Sequence, residues 1–255
     1  MEIAVCVKRV PAPGGTVTLS EDEKSLDARN LGFTIGPHEE CAIEEATRLA
    51  GIHGGRVTVL TVGPDEALEQ LRAAMSFGAD RGVHVRTEDG ELGPVATATA
   101  LAVAIRDTEW DGGGPDLVLL GNEAPDSADY QVGIRLAHVL DLPCLTGLKS
   151  LQVDDAAITG RREAAGGWDV FAAPRPAVVT VREGLNTPRY PSLPGRLRAK
   201  KRPVQTRTAV PDPVDAQLIR LRVVQIPRTQ AELLATGPDL AGELADLLET
   251  WGVLA

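Results

Sequence analysis

One loop, at residues 121–133, combines residue types and spacing that suit ligand chemistry. It begins with Gly121 after an apolar run and ends in Gln131-Val132-Gly133 before a helix-period segment. Ligands of open α/β sheets bind at the carboxyl ends of strands, and a helix N-terminus offers free amides to a phosphate. Glycine at 121 allows a ligand to approach closely, and glycine at 133 allows tight helix packing. The loop predicts a phosphate-binding site; the alternative is an ordinary strand-to-helix connection.

The other reactive side chains do not form a recognisable catalytic or metal-binding pattern. The sequence has no G-x-G-x-x-G, no Walker A motif and no nucleophile elbow. We therefore expect no catalytic residues and no metal site. Four carboxylates are predicted to form a solvated helix face: Glu39, Glu40, Glu44 and Glu45. None of the four histidines has a cysteine or carboxylate at metal-ligand spacing; they are His38, His53, His84 and His138. The three cysteines form no C-x-x-C motif; they are Cys6, Cys41 and Cys144.

A second unusual stretch, residues 185–201, places leucines and a tyrosine among prolines and follows them with cations. Residues 196–207 carry six basic side chains and no acidic one. An exposed apolar residue can anchor a partner protein, and cations can steer an acidic partner. We predict either a loop presented to a partner or a simple surface linker.

Composition limits the function classes. The chain has 255 residues, 43% of them hydrophobic but only 3% aromatic, and a net charge of -10. This acidic balance argues against nucleic-acid binding. No apolar run reaches the roughly 20 residues that span a bilayer, so we expect no membrane embedding. The N-terminus starts directly with a strand-like run, which predicts no signal peptide, and the unpaired cysteines favour the cytoplasm.

The elements that must position these residues alternate along the chain. Apolar runs at 3–7, 57–62, 83–85, 117–120 and 177–181 predict strands, and the segments between them have helical periodicity, with Pro37 and Pro94 at helix starts. This alternation predicts a parallel sheet covered on both faces. Short, turn-rich segments after Pro143 predict a small antiparallel addition. Frequent prolines from Asn186 onward predict a loop and linker.

The end of the chain predicts an extended C-terminal arm with an apolar helix. We divide the chain into an α/β domain (1–184), the basic proline-rich stretch (185–202) and this arm (203–255). One helix face is apolar and has no obvious place on a closed domain, which predicts a partner interface. It carries Leu240, Leu244, Leu247, Leu248 and Trp251.

Four segments together resemble the electron transfer flavoprotein beta subunit family. They are VCVKRV at 5–10, GPHEECAIEEATRL at 36–49, MSFGADRGVHV at 75–85 and LNTPRYPSLPGRLRAKK at 185–201. Their order and spacing match the family through residue 201, and the C-terminal arm fits as well. The resemblance implies a Rossmann-like adenine-nucleotide domain of the HUP type. It also implies an electron carrier, not an enzyme in its own right, that works with an alpha subunit and shares its FAD.

The resemblance also implies a nucleotide in this chain. Most members hold AMP here, whereas electron-bifurcating members hold a second FAD and end the loop in Gln-Val-Gly, as residues 131–133 do. The positions matching this site are Cys6, Gly36, Pro37, His38, Glu39, Val62, Gly121, Asn122, Glu123, Ala124, Pro125, Asp126, Ser127, Ala128, Asp129, Tyr130, Gln131, Val132 and Gly133.

The stretch at 185–201 resembles the family's recognition loop, in which a leucine docks into a pocket of partner dehydrogenases. The positions implied to bind partners are Tyr190, Leu193, Arg198 and Lys201. The implied donors are acyl-CoA-type or other flavin dehydrogenases, and the implied acceptor is a quinone oxidoreductase. Two rivals are a stand-alone adenylate-handling enzyme and a nucleotide-sensing module. The first would need a Ser- and Gly-rich loop after the first strand, where this chain has Lys8-Arg9-Val10-Pro11.

Overall fold

The computed structural model describes residues 1–14, 17–88, 92–154, 157–209, 218–223 and 240–253. Residues Met1–Leu221 form one compact unit, and Arg222–Ala255 form a second. The elements are β1 (Glu2–Val7), β2 (Val10–Pro11), β3 (Phe33–Thr34), α1 (Pro37–His53), β4 (Arg56–Gly63), α2 (Ala67–Met75), β5 (Arg81–Arg86), α3 (Pro94–Arg106), β6 (Leu117–Gly121), α4 (Val132–Leu140), β7 (Cys144–Leu148), β8 (Ser150–Val153), β9 (Ala157–Ala164), β10 (Gly167–Pro174), β11 (Ala177–Val181), α5 (Leu193–Lys201), β12 (Val204–Thr208) and α6 (Leu240–Thr250).

A seven-stranded parallel sheet forms the centre of the first unit. Its strand order is β12-β5-β4-β1-β6-β11-β7, and every neighbouring pair runs parallel. All six residues of β1 are buried, because helices cover both faces of the sheet. The predicted Rossmann-like α/β fold is confirmed.

The direction in which the chain extends the sheet changes at β1. After β1 the chain adds β4 and β5 on one side, and it then crosses to add β6 on the other side. Cys6 of β1 is paired in register with Leu120 of β6. Such a reversal opens a crevice at the carboxyl ends of the two strands, where open α/β sheets bind ligands.

Two apolar cores fill the two faces of the sheet. Alternate side chains of β1 point to opposite faces, so Ile3 and Val5 join one core while Ala4 and Cys6 join the other. The first core includes buried residues of α1 and α2, and the second includes buried residues of α3 and α4. These helices hold the ends of β1 and β6 in fixed positions.

A three-stranded antiparallel sheet, in the order β10-β9-β8, follows β7. It corresponds to the short segments predicted after Pro143, so the antiparallel addition is confirmed. Within the described ranges, no helix combines the length and apolar character that crossing a bilayer requires.

The prediction that the chain from Asn186 onward is a loop and linker is wrong in two places. Leu193–Lys201 forms α5, whose first turn is capped by the Ser192 hydroxyl accepting from the Gly195 amide at 3.2 Å. Val204–Thr208 forms β12 and pairs with β5 at the edge of the main sheet. Pro203 immediately before β12 is acceptable because edge strands tolerate proline. The predicted C-terminal arm therefore contributes its first strand to the α/β domain. Its residues 210–217 and 224–239 lie outside the described part of the chain.

Candidate functional site

A cleft opens at the carboxyl ends of β1 and β6, where the sheet reverses direction. Its wall and floor include twelve of the residues implicated by the sequence. They are Cys6, Glu39, Gly121, Asn122, Glu123, Ala124, Ser127, Asp129, Tyr130, Gln131, Val132 and Gly133. Seven other implicated residues do not line the cleft: Gly36, Pro37, His38, Val62, Pro125, Asp126 and Ala128. The structure thus brings most of the loop, one strand end and the first turn of α1 to one place.

The seven remaining residues lie around the cleft. Val62 lines a small adjoining pocket that shares Lys8 and Thr97 with the cleft. Gly36 and His38 belong to the start of α1, behind the cleft wall. The sequence interpretation missed Lys8, which lies just past the carboxyl end of β1; the rule that ligands gather at strand ends was sufficient to find it.

The loop between β6 and α4 is held in shape by specific contacts. The Asn122 amide donates to the Val181 carbonyl at 2.9 Å, and the Thr180 hydroxyl donates to Asn122 Oδ1 at 2.8 Å. Lys8 Nζ lies 2.6 Å from Asp126 Oδ2 and ties the loop to the end of β1. These contacts tie the start and the middle of the loop to β11 and to the end of β1.

Two residues in this loop adopt backbone angles that are uncommon for residues other than glycine. Ala128 has a φ of 50° and Tyr130 a φ of 58°, both in the left-handed region. Such conformations cost of order 1 kcal/mol each and concentrate at binding sites, where surrounding contacts enforce them. The loop is shaped at an energetic cost, as expected of a ligand-binding segment.

Helix α4 presents its N-terminus to the cleft. Gln131 occupies the N-cap position but makes no side-chain cap hydrogen bond; its Oε1 instead accepts from Arg135 Nε at 3.0 Å. The first-turn amides of this nine-residue helix therefore donate no hydrogen bond to the side chain of their cap. Such amides, together with the positive end of the helix dipole, suit an anionic group.

The two loop glycines are explained by packing. A Cβ at Gly133 would lie 2.4 Å from Thr180 Cγ2, so glycine allows α4 to contact β11, as predicted. A Cβ at Gly121 would lie 3.0 Å from Glu39 Cδ and from His38 Cβ. Glycine at 121 thus makes room for the first turn of α1, and the close ligand approach expected at this position stays a prediction.

Glu39 is an unusual ionisable group of the cleft. Its side chain lies in the first turn of α1, and the residue is only 4% exposed. Its Oε2 atom is buried without a hydrogen-bond partner. Burial raises the pKa of this carboxyl to about 7; Asp126 adds to the effect, while the residue's own amide and Lys8 oppose it. A group that changes charge near neutral pH therefore lines the cleft.

The neighbouring His38 is also buried and lacks a hydrogen-bond partner at Nδ1. Burial lowers the pKa of its imidazole, and this favours the neutral ring. Two polar side chains in the first turn of α1 thus have unused hydrogen-bonding capacity beside the cleft.

The prediction of a solvated carboxylate face on α1 is wrong. Glu39 and Glu45 are buried, and Glu40 and Glu44 are half-buried. The acidic residues were assigned to solvent because charged residues usually face water, but here the second turn of α1 is covered by residues 186–189. Residues 186–189 follow β11, far along the chain from α1. The sequence of α1 alone therefore gives no sign that they cover it.

The residues implicated in partner binding are brought to the surface. Tyr190 is 84% exposed and Leu193 is 71% exposed, and the Arg196 guanidinium lies over the Tyr190 ring at 5.0 Å from its centroid. Arg198 and Lys201 are exposed on α5. In the described part of the chain, no group of three or more His, Cys, Asp or Glu side chains could hold a metal ion.

Comparison with known proteins gives consistent matches. The family profile for the electron transfer flavoprotein domain matches residues 25–212. A relative from Bacillus subtilis, named electron transfer flavoprotein subunit beta, is 39% identical over 68% of this chain and 66% of its own length, just under two thirds. The protein of the same name from Mycobacterium leprae is 38% identical over 81% of this chain and 78% of its own. The mitochondrial subunit beta of Arabidopsis thaliana is 32% identical over 98% of both chains.

Proposed function

The chain belongs to the electron transfer flavoprotein family, and on this premise we propose that it is the beta subunit of a two-subunit electron carrier. The observation that carries the proposal is a cleft at the β1–β6 reversal, lined by the loop after β6, in a chain whose relatives are named beta subunits. The carrier takes electrons from a flavin dehydrogenase and passes them to a quinone oxidoreductase or another acceptor. Its FAD, shared with an alpha subunit, accepts and donates the electrons. This chain helps to bind and orient the flavin and docks the partner dehydrogenase.

We propose that the cleft holds AMP. Three features of the cleft fit an adenine nucleotide: an α4 N-terminus without a side-chain cap, a buried Glu39 oxygen without a partner, and Lys8 at the rim. The α4 amides would hold the phosphate, because they combine free donors with a positive dipole end. Glu39 would hydrogen-bond a hydroxyl or amino group of the nucleoside, as a buried oxygen otherwise left unpaired gains most from such a bond.

The alternative is that the cleft holds a second FAD in place of AMP. In that case the carrier would be of the electron-bifurcating type. It is favoured by the sequence Gln131-Val132-Gly133 at the start of α4. Both ligands share an adenylate portion, so the same amides and the same carboxyl would serve either one.

The experiment is to co-express the chain with its alpha subunit and to measure nucleotides released by acid from the purified complex. One FAD and one AMP per heterodimer support the carrier with a structural nucleotide. Two FAD and no AMP support the bifurcating alternative. A colourless complex, or a chain that does not associate with the alpha subunit, would refute the proposed function.

The alpha subunit is the proposed partner of the C-terminal unit. None of the residues described in α6 is buried, and Leu244 is 43% exposed. Trp251, predicted to lie on the same helix, directly follows its last residue and is 66% exposed. An apolar stripe of this kind on a helix marks a protein interface. We further propose a cytoplasmic location, because all three cysteines are free thiols.

We assign dehydrogenase docking to residues 186–193, here called the docking segment. Its exposed tip is formed by Tyr190 and Leu193. An apolar side chain that is exposed in the free protein and fills a pocket in the complex is the usual form of an interface anchor. The exposed cations Arg198 and Lys201 would steer an acidic partner toward it.

A further inference from the structure

The docking segment is fixed to helix α1 by a bidentate ion pair. Arg189 Nε lies 3.0 Å and 2.9 Å from the two carboxylate oxygens of Glu44, and a terminal guanidinium nitrogen lies 2.8 Å from Glu44 Oε1. The Arg189 backbone amide also approaches Glu44 Oε2 at 3.3 Å. This pair joins residues 145 positions apart in the chain, so it sets a tertiary position as well as a local turn.

A second contact fixes the start of the same segment. Asn186 Nδ2 donates to the Cys41 carbonyl at 3.0 Å and to Glu45 Oε2 at 3.2 Å. Glu45 is itself held by Arg48, one turn further along α1. The start of the segment is therefore joined to α1 through one backbone carbonyl and one ion-paired carboxylate.

The far end of the docking segment is fixed by α5, which packs on α2. A Cβ at Gly195 would lie 2.8 Å from the Ser76 carbonyl oxygen, which leaves no room for a side chain there. Arg72 donates to the carbonyls of Ala199 and Arg202, each at 2.6 Å. Tyr190 and Leu193 are thus exposed between two anchored ends.

We propose that Glu44, acting through Arg189, is a positioning residue that holds the docking segment in the conformation a dehydrogenase recognises. The inference rests on the proposed function, because it takes residues 186–193 as the docking surface. A segment that is already ordered loses less conformational entropy when it binds, so its affinity is higher for the same contacts. Loss of the ion pair should weaken docking without touching the flavin or the nucleotide cleft.

The expected size of the effect follows from the exposure of the pair. The Arg189 side chain is about half exposed and Glu44 is mostly covered. Exposed pairs contribute little, but bidentate geometry and a partly covered carboxylate place this pair at the upper end of the range. We expect the KM for the carrier, measured with a cognate dehydrogenase, to rise about three- to fivefold. The kcat at saturation should stay unchanged, since the pair contacts no electron-transferring group.

The test uses the complete heterodimer and compares Glu44→Gln and Arg189→Gln with the exchanged double variant Glu44→Arg/Arg189→Glu. The exchange should reverse part of the rise in KM if the ion pair itself is the cause; the rest reflects the Arg189 backbone amide, from which an arginine at position 44 cannot accept a hydrogen bond. No reversal would overturn the role of the ion pair. Arg189→Lys provides a second measurement if the exchanged variant does not fold; it keeps the charge but loses the bidentate geometry, so the KM should lie between the wild-type and Arg189→Gln values.

Arg29→Gln is the matched control. Arg29 Nε also contacts both oxygens of a carboxylate, that of Asp27, but the two residues are only two positions apart and hold no distant segment. This variant should transfer electrons with the wild-type KM. A rise in KM equal to that of Arg189→Gln would mean that loss of any surface arginine slows transfer, and it would overturn the positioning role.

Leu193→Ala distinguishes failure of the docking assignment from failure of the positioning role of Glu44. If Leu193→Ala raises the KM while Glu44→Gln and Arg189→Gln do not, the docking segment is correctly assigned and the positioning role is wrong. If Leu193→Ala also transfers at the wild-type rate, the docking assignment itself fails. If the Glu44 or Arg189 variants lose flavin or melt early, the pair stabilises the fold and the positioning role is overturned.

Discussion

Replacing Glu39 with glutamine should make the protein more stable at pH 8 and leave its stability nearly unchanged at pH 4.5. Glutamine has the shape of the protonated carboxyl but never ionises. The wild-type side chain is almost fully buried and its Oε2 has no hydrogen-bond partner, so its ionised form is costly in the folded state. The variant removes that cost and nothing else of comparable size.

The magnitude follows from the pKa of this carboxyl. Burial raises the pKa from its ordinary value of 4.5 to about 7 in the folded protein. The raised pKa means that the folded state binds the proton more tightly than the unfolded state does. The resulting stabilisation is therefore fully present below pH 4.5 and is lost as the pH rises through 7. The full difference corresponds to about 3 kcal/mol, which glutamine retains at every pH.

The measurement is thermal or denaturant-induced unfolding, between pH 4.5 and 8.5 and at fixed concentration, of the heterodimer freed of its cleft nucleotide. The nucleotide is removed because a ligand bonded to Glu39 would itself change the stability and the pKa of this carboxyl. Glu66→Gln is the control, since Glu66 is exposed at the start of α2 and its replacement removes no buried charge. A constant difference between Glu39→Gln and wild type across this pH range would refute the reasoning. So would a variant that becomes less stable than wild type above pH 7.

Three further outcomes are expected. Leu193→Ala should weaken transfer from the dehydrogenase roughly tenfold with unchanged flavin content, because most of this exposed leucine is available for burial in a partner; steady-state transfer is the assay. Gly133→Ala should destabilise the fold by about 1–3 kcal/mol, because its Cβ would overlap a β11 side chain, whereas Gly51→Ala, with open space around its Cβ, should not; melting curves decide. Arg198→Gln with Lys201→Gln should slow association at low salt and have little effect at high salt, as stopped-flow mixing can show.

The parallel sheet was predictable because its strands are continuous apolar runs. A strand buried on both faces needs apolar residues at successive positions, and most residues of β1, β6 and β11 are valine, leucine, isoleucine or alanine. Proline at the first turn marked the starts of α1 and α3 equally well. These signals are local, so one sequence was enough to find them.

Helix α5 and strand β12 were missed because neither carries an apolar pattern. The buried residues of α5 are Gly195 and Ala199, whose small size lets the helix approach α2. Periodicity of large apolar side chains cannot detect a contact made by small ones. Strand β12 is an edge strand with no fully buried residue, so its place in the sheet is set by pairing with β5.

The cleft was located from the sequence, but the states of its side chains were not. The glycines of the loop after β6, and its position after an apolar run, indicated a binding loop. The burial of Glu39 depends on how α1 meets Gly121, which is a tertiary contact between distant segments. Charged residues are almost never fully buried, so the helix sequence alone favoured solvent.

Helix α1 connects the two surfaces that we propose for nucleotide and dehydrogenase binding. Its first turn, with Glu39, forms a wall of the cleft, and its next turn, with Glu44, holds the docking segment. Five residues of helix span about 8 Å, so the two contacts lie on one rigid element. A shift of α1 as a whole would therefore move both Glu39 and the carboxylate that anchors Arg189. The acidic residues of α1 are thus explained by burial of Glu39 at the cleft and by the contact of Glu44 with the docking segment. They do not form a solvated face.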